Sequence, residues 1–290
     1  NVGQGVSNFS IDRVKDLPVM PEVAIKVMNL KGGGTEVSFK DLESIIKVDL
    51  GLTSKILRIA NSALYARQRE ITSLQMAISL LGFKNIRNLV LLVTASGMFP
   101  RMKRSLFHPR FWKHSIMSAF LSRSLSVRCD KRSGAEEAFI AALLHDIGQP
   151  VLYDSDPEQY EQVLAAERLG AMPLETIEDM TFGTNHRKIG GALLRKWNFP
   201  ELYADVAEEH ESLNITSPNK AAVIMVTVAS LMAEKIVDHA LLPQKEETLL
   251  QFLPHTCLSG MDLDVLMKAY TGELASDPLY HEFRNLFGAE

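Results

Sequence analysis

The sequence predicts an all-α protein. Apolar residues recur at helical spacing along nearly the whole chain. Ser, Asn, Pro and Gly fall where helices start and stop. No segment shows the strict two-residue alternation of a half-buried strand bounded by turns. The chain has 290 residues, of which 46% are hydrophobic. That length suggests one large or two medium domains, with enough apolar material for a sizeable core.

The first residues, 1–10, lack a period and read as a leader. A first helix begins near Pro21, whose missing N–H suits a helix start. Val23, Ala24, Val27, Met28 and Leu30 form its stripe, and Gly32-Gly33-Gly34 ends it. Ser38 is placed to cap a second helix bearing Leu42, Ile45, Ile46 and Val48. A third carries Leu52, Ile56, Leu57, Ile59 and Ala60. Ser73 caps a fourth, with Leu74, Ala77, Ile78 and Leu81 in phase, and Gly82 stops it. Residues 83–95 make a fifth.

Residues 100–110 form a basic connector with Arg101, Lys103, Arg104 and Arg110, read as a solvated loop and as the boundary between two lobes. A long helix over 111–128 turns Trp112, Ile116, Phe120, Leu121 and Leu125 inward. Gly134 starts a helix that runs to His145-Asp146, where Gly148 and Pro150 are expected to stop it. Helices follow over 157–169, 173–182, 187–197 (capped by Asn185), 200–210 and 221–237. The Gly190-Gly191 pair implies close backbone packing. After residue 241 the tail alternates short helical runs with Pro243, Pro254, Gly260 and Pro278.

Net charge is −4, which argues against a general nucleic-acid or anionic-membrane binder. The longest apolar stretch, near 223–231, is too short and interrupted to span a bilayer. Cys129 and Cys257 lie far apart in no paired motif and read as two free thiols, an expectation that points to a reducing cytoplasm.

Six polar residues interrupt the apolar pattern: His114, His145, Asp146, His186, Glu209 and His210. Histidines and a carboxylate on separate helices suit a mid-row divalent metal in a helical bundle, and such a metal activates water for attack on phosphorus. Each residue has a plainer alternative. His145 and Asp146 suit a mutual hydrogen bond at a helix end. His114 suits a half-buried histidine bonded to a carbonyl, and His186 a surface position behind a cap. His210, flanked by Glu208, Glu209 and Glu211, suits a solvated ion pair. His108, His239, His255 and His281 fall outside the pattern. No Gly-x-Ser-x-Gly elbow, phosphate loop or dinucleotide fingerprint is present.

The run Leu17-Pro18-Val19-Met20-Pro21, then Ile56-Leu57-Arg58-Ile59-Ala60-Asn61-Ser62-Ala63, then Ile71-Thr72-Ser73-Leu74 with Ala77-Ile78 and Leu81-Gly82, resembles the HDOD family, the HD-related output domains of bacterial signalling proteins. The resemblance covers roughly residues 11–240. It implies an N-terminal helical lobe over 11–105, an HD-like helical bundle over 106–240 and a C-terminal extension over 241–290. Against the wider HD superfamily of metal-dependent phosphohydrolases, His114 takes the first-histidine place and His145-Asp146 the signature pair. His186 and His210 take later histidine places, so the resemblance implies these five as ligands for iron, manganese or zinc.

Four departures stand out. Asp49-Leu50 replaces Asp-Pro, and Ser230 aligns with the final metal-binding Asp. Gln149 sits where phosphohydrolases often carry a phosphate-steadying Lys. The Gly-Tyr-Pro motif of the cyclic-dinucleotide branch is missing after His210. The resemblance implies a cytoplasmic output or scaffold module partnered by other signalling proteins, and the lost Asp and Lys positions support a non-catalytic one. The alternative is a phosphohydrolase acting on a nucleotide or cyclic dinucleotide. A nucleic-acid contact through residues 101–110 ranks last.

Overall fold

The computed structural model describes residues 17–30, 36–62, 70–129, 134–170, 172–238 and 241–287. The leader, Gly32-Gly33-Gly34, Ala63 and His239 lie outside them. All regular structure among the described residues is helical. Five helices come first: α1 (Glu22–Asn29), α2 (Glu36–Ile46), α3 (Leu50–Ala60), α4 (Leu74–Leu81) and α5 (Phe83–Gly97). Asp49 caps α3 by accepting from the Leu52 N–H at 2.9 Å, and Ser73 caps α4 through the Met76 N–H at 3.2 Å. Gly82, at φ 84°, turns the chain between α4 and α5, a conformation glycine adopts without strain. Two local expectations fail. Ser38 falls inside α2, which begins at Glu36, and Val48 is 82% exposed because α2 has already ended.

The connector is not a free loop. It folds into a 3-10 turn over Met102–Arg104. The Arg101 amide and guanidinium bond to Asp154 at 2.7 and 3.0 Å, and Arg110 pairs with Asp238 at 3.0 Å.

The long helix α6 (Phe107–Arg128) is the axis of the second group. Around it pack α7 (Ala135–Leu144), α8 (Gly148–Ser155), α9 (Pro157–Arg168), α10 (Leu174–Phe182), α11 (His186–Lys196), α12 (Glu201–Glu209) and α13 (Lys220–Asp238). Gly148 and Pro150 do not terminate the structure after Asp146; they open α8. Proline is tolerated there because first-turn N–H groups have no partner within the helix. Trp112, Ile116 and Leu125 of α6 are fully buried, and each large apolar side chain so buried contributes about 1.5–3 kcal/mol.

The extension adds α14 (Pro243–Phe252), α15 (Leu263–Ser276) and α16 (Pro278–Asn285). Phe283 of α16 sets its ring edge-on against Phe120 and Phe139. Cys129, at the end of α6, is bonded to Cys257. The expectation of two free thiols is therefore wrong, and with it goes the cysteine argument for a reducing compartment. The 128-residue separation hid the pairing, because only the packing of the extension along α6 brings the two together. The buried side chains form one continuous core from Leu17 to Phe283. Among the described residues no single helix is long and apolar enough to cross a membrane.

Candidate metal centre

Four helices and one turn bring the six site side chains together. His114 lies in the first third of α6. His145 and Asp146 form the turn between α7 and α8. His186 is the first residue of α11, fixed by the Asn185 cap, whose side chain accepts from the Lys188 N–H at 3.1 Å. His210 ends α12, and Ser230 faces them from α13. His145, Asp146, His186, His210 and Ser230 are buried, and His114 is partly so, at 17% side-chain exposure.

Asp146 is the centre. Its Oδ2 faces His145 Nε2 at 3.1 Å and His114 Nε2 at 3.7 Å. Its Oδ1 faces His210 Nε2 at 3.2 Å and His186 Nε2 at 3.5 Å. The cluster thus divides into two donor groups, His114/His145/Asp146 and Asp146/His186/His210, which share one carboxylate.

Neighbouring acceptors fix three of the four imidazoles. The Nδ1–H of His145 donates to the Ala142 carbonyl at 2.7 Å, and that of His210 to the Ala207 carbonyl at 2.9 Å. His186 Nδ1–H donates to Glu178 Oε2 at 2.5 Å, and the backbone N–H of His186 reaches the same oxygen at 2.8 Å. The Tyr160 hydroxyl donates to the other Glu178 oxygen at 2.6 Å. With Nδ1 protonated, each neutral ring directs its Nε2 lone pair at Asp146. Lone pairs facing a carboxylate call for a cation between them, either a proton or a metal ion. A carbonyl or carboxylate behind each inward-facing imidazole is the usual support for a metal-binding histidine.

The electrostatics follow this geometry. Burial, joined by the His145 charge, pushes His114 down to about 4. Burial also holds His210 below its usual range. For His145 and His186 the same desolvation is outweighed by Asp146 and Glu178 respectively, and both are raised. Burial alone would raise Asp146, but the His145 charge and hydrogen bond dominate and hold it far below the usual carboxylate range.

The five expected site residues all converge. Glu209 does not join them: it turns away to accept from Thr216 and Ser217. The solvated reading of His210 fails, because that side chain is 2% exposed. Ser230 occupies the aligned position, its Oγ 3.1 Å from His145 Nε2 and 3.2 Å from His114 Nε2. Three residues escaped the sequence reading. Glu178 is fully buried; its signal was a carboxylate on the apolar face of α10, eight residues before His186. Glu211 lines the pocket from a left-handed backbone position, φ 62°. Lys245 reaches the same pocket from the extension.

The pocket over the cluster encloses about 90 Å³, small beside the roughly 300–1,000 Å³ of ordinary ligand sites. Its cations are already engaged. Arg187 lies 3.2 Å from Glu175 and 3.9 Å from Glu211. Arg110 holds Asp238, and Lys245 holds Glu234 at 2.8 Å and Glu167 at 3.7 Å.

Residues 17–213 match the HDOD domain family. A Treponema pallidum (strain Nichols) protein described only as uncharacterised is 22% identical over 218 residues, which is 75% of this chain and 42% of the relative. The chain therefore spans less than half the length of that relative. Among solved structures, an HDOD domain protein of unknown function from Geobacter sulfurreducens aligns with TM-score 0.68 and 21% identity, over 93% of this chain and 92% of that one. A provisionally named phosphohydrolase from Shewanella amazonensis SB2B gives 0.71 and 21%, over 98% and 100%. A provisionally named signal transduction protein from Marinobacter aquaeolei VT8 gives 0.74 and 18%, over 100% and 62%. At these identities the likeness establishes the fold.

Proposed function

The chain belongs to the HDOD family, and from that premise we propose that it is a signalling output module whose His/Asp cluster holds one divalent transition metal without catalysing phosphoester hydrolysis. Ser230 carries the reading. A two-metal hydrolytic centre needs anionic ligands to balance two dications and to free a bound water for attack. Here a neutral hydroxyl faces His114 and His145. The second donor group, Asp146 with His186 and His210, keeps two nitrogens and one oxygen, a set that suits iron, manganese or zinc. When bound, such an ion would supply positive charge to Asp146 and tie α11 and α12 to the turn after α7. Among the described residues, the pocket's cations Arg110, Arg187 and Lys245 each already pair with a carboxylate rather than standing ready for a phosphate. The partners of a non-catalytic module would be other signalling proteins.

Elemental analysis of protein purified without chelator, with a panel of phosphodiester substrates, tests this. We expect about one ion per chain and no turnover with added manganese or iron. Ser230→Asp restores an anionic ligand and is expected to raise the stoichiometry toward two. An ion count of zero in the wild-type protein, or turnover that Asp146→Ala abolishes, would overturn the reading.

The second reading is a phosphohydrolase acting on a nucleotide or cyclic dinucleotide. The observation in its favour is the sharing of Asp146 by two donor groups.

A further inference from the structure

The charge balance of the metal pocket depends on the extension. Three carboxylates from separate parts of the bundle line the pocket: Glu167 of α9, Glu211 after α12 and Glu234 of α13. Lys245 of α14 reaches in among them. Its Nζ lies 2.8 Å from Glu234 and 3.7 Å from Glu167, and of the carboxylates around it Glu211 acts on it most strongly. All four side chains are 19% exposed or less. An ion-pair network so buried is costly to break, because a lost partner leaves an uncompensated charge. Lys245 is therefore a fixed feature of the pocket, and it comes from beyond the 17–213 family match.

The two donor groups have the same composition, two imidazoles and one shared carboxylate, so ligand type alone does not rank them. Their surroundings do. Behind His186 stands Glu178, bonded to Nδ1, and it offsets the charge of Arg187 on that ring. At His114 and His145 the facing group from α13 is the neutral Ser230. There the charge of Lys245 acts on His114 in the same direction as burial and the His145 charge. Glu211 opposes it but stays outside both donor groups. Its backbone N–H donates to Thr227 Oγ1 at 3.0 Å. Its carboxylate lies 3.9 Å from Arg187 and is acted on more strongly by Lys245.

We propose that Lys245 limits the cluster to one ion: its fixed positive charge stands beside His114 and holds Glu211 out of the His114/His145 group. This rests on the one-metal reading above and names what disfavours a second ion. A second dication there would share Asp146 with the first and meet a neutral hydroxyl at Ser230. It would also face an ammonium of like charge in a site where burial strengthens the repulsion. With the ammonium gone, Glu211 is released from its partner and its charge offsets the ion. A lysine that only propped the fold would, when replaced, lower the metal count or leave it unchanged. A lysine that opposes the ion raises it.

The experiment is manganese binding to the full chain, counted by elemental analysis after equilibrium dialysis at a fixed free manganese concentration. Lys245→Met should take the count from about one to about two ions per chain. Lys245→Arg keeps the charge and should stay at the wild-type count. Adding His114→Gln to Lys245→Met should lose the second ion. Lys245→Met alone leaves three carboxylates facing one another, so a further variant, Lys245→Met with Glu234→Gln, removes the bonded pair together. It should gain the ion as well, with the folded state of each variant checked by circular dichroism. A wild-type count in either folded Lys245→Met variant overturns the limit. So does a second ion in Lys245→Arg, or one that survives His114→Gln and so sits among the carboxylates instead. With the wild-type protein at about one ion, these results fail the limit alone; any other wild-type count fails the metal reading itself and the limit with it.

Discussion

Glu178 shows how much of this cluster depends on a side chain behind the histidines. It receives a ring N–H and a backbone N–H from His186 and the Tyr160 hydroxyl, so one carboxylate sets the tautomer, the ring direction and the start of α11. Glu178→Gln keeps the shape and removes the charge. It should weaken metal affinity by roughly 10–100-fold, measured by competition with a chromophoric chelator. His114 makes a separate prediction. Its folded pKa near 4 lies below the ordinary histidine value. Between about pH 6.5 and 4 the unfolded chain therefore takes up a proton there and the folded chain does not, so this group's contribution to stability falls with falling pH. His145 and His186, raised in the fold, work in the opposite sense. Chelator-treated His114→Gln should accordingly lose less stability than wild type between pH 7 and 5, as read by denaturant melts. The cluster histidines were legible in the sequence because histidines stand out on apolar helices. Glu178 and Glu211 were not, since a lone carboxylate on a helix usually faces water, and only the tertiary fold shows what either one faces.

Among the described elements, α11 lies close against both α8 and α12. A Cβ on Gly148 would fall inside the His186 backbone carbonyl, and one on Gly191 would collide with the Glu208 side chain. The first collision is with backbone and cannot be relieved by a rotamer. Gly148→Ala should therefore destabilise the fold by about 3 kcal/mol or more and separate His145-Asp146 from His186, which thermal melting and metal content would report together. Helix periodicity and caps at Ser73 and Asn185 made most elements readable in advance. The reading failed at residues 148–150, because a Gly and a Pro after a helix are also what the first turn of the next helix tolerates. At the connector the arginines are exposed as expected, but Arg101 and Arg110 also pair with Asp154 and Asp238, and the segment is a 3-10 turn and the start of α6 rather than a loop.

At the scale of the whole molecule, the extension is part of the bundle. Leu266, Tyr270, Leu274, Leu279, Tyr280 and Phe283 are buried, and the Cys129–Cys257 bond closes a loop of 128 residues. A cross-link of that span restricts the unfolded chain, so Cys129→Ser should lower stability by about 2–5 kcal/mol, seen as a fall in the denaturant midpoint with a steeper slope, because the released chain exposes more surface on unfolding. The resemblance stopped near residue 240, so neither the bond nor Lys245 was foreseeable from it. Both depend on where a segment outside the family pattern comes to rest.

At the far end of α11 the Trp197 indole N–H donates to the Pro18 carbonyl at 2.9 Å, and Lys196 donates to the Leu17 carbonyl at the same distance. The helix is 11 residues long, about 16 Å at 1.5 Å per residue, and His186 stands at its other tip. A rod that short does not flex appreciably, so a shift of Leu17-Pro18 is expected to reach the imidazole as a displacement. Leu17-Pro18 and the buried His186 thus sit at the two ends of one stiff helix.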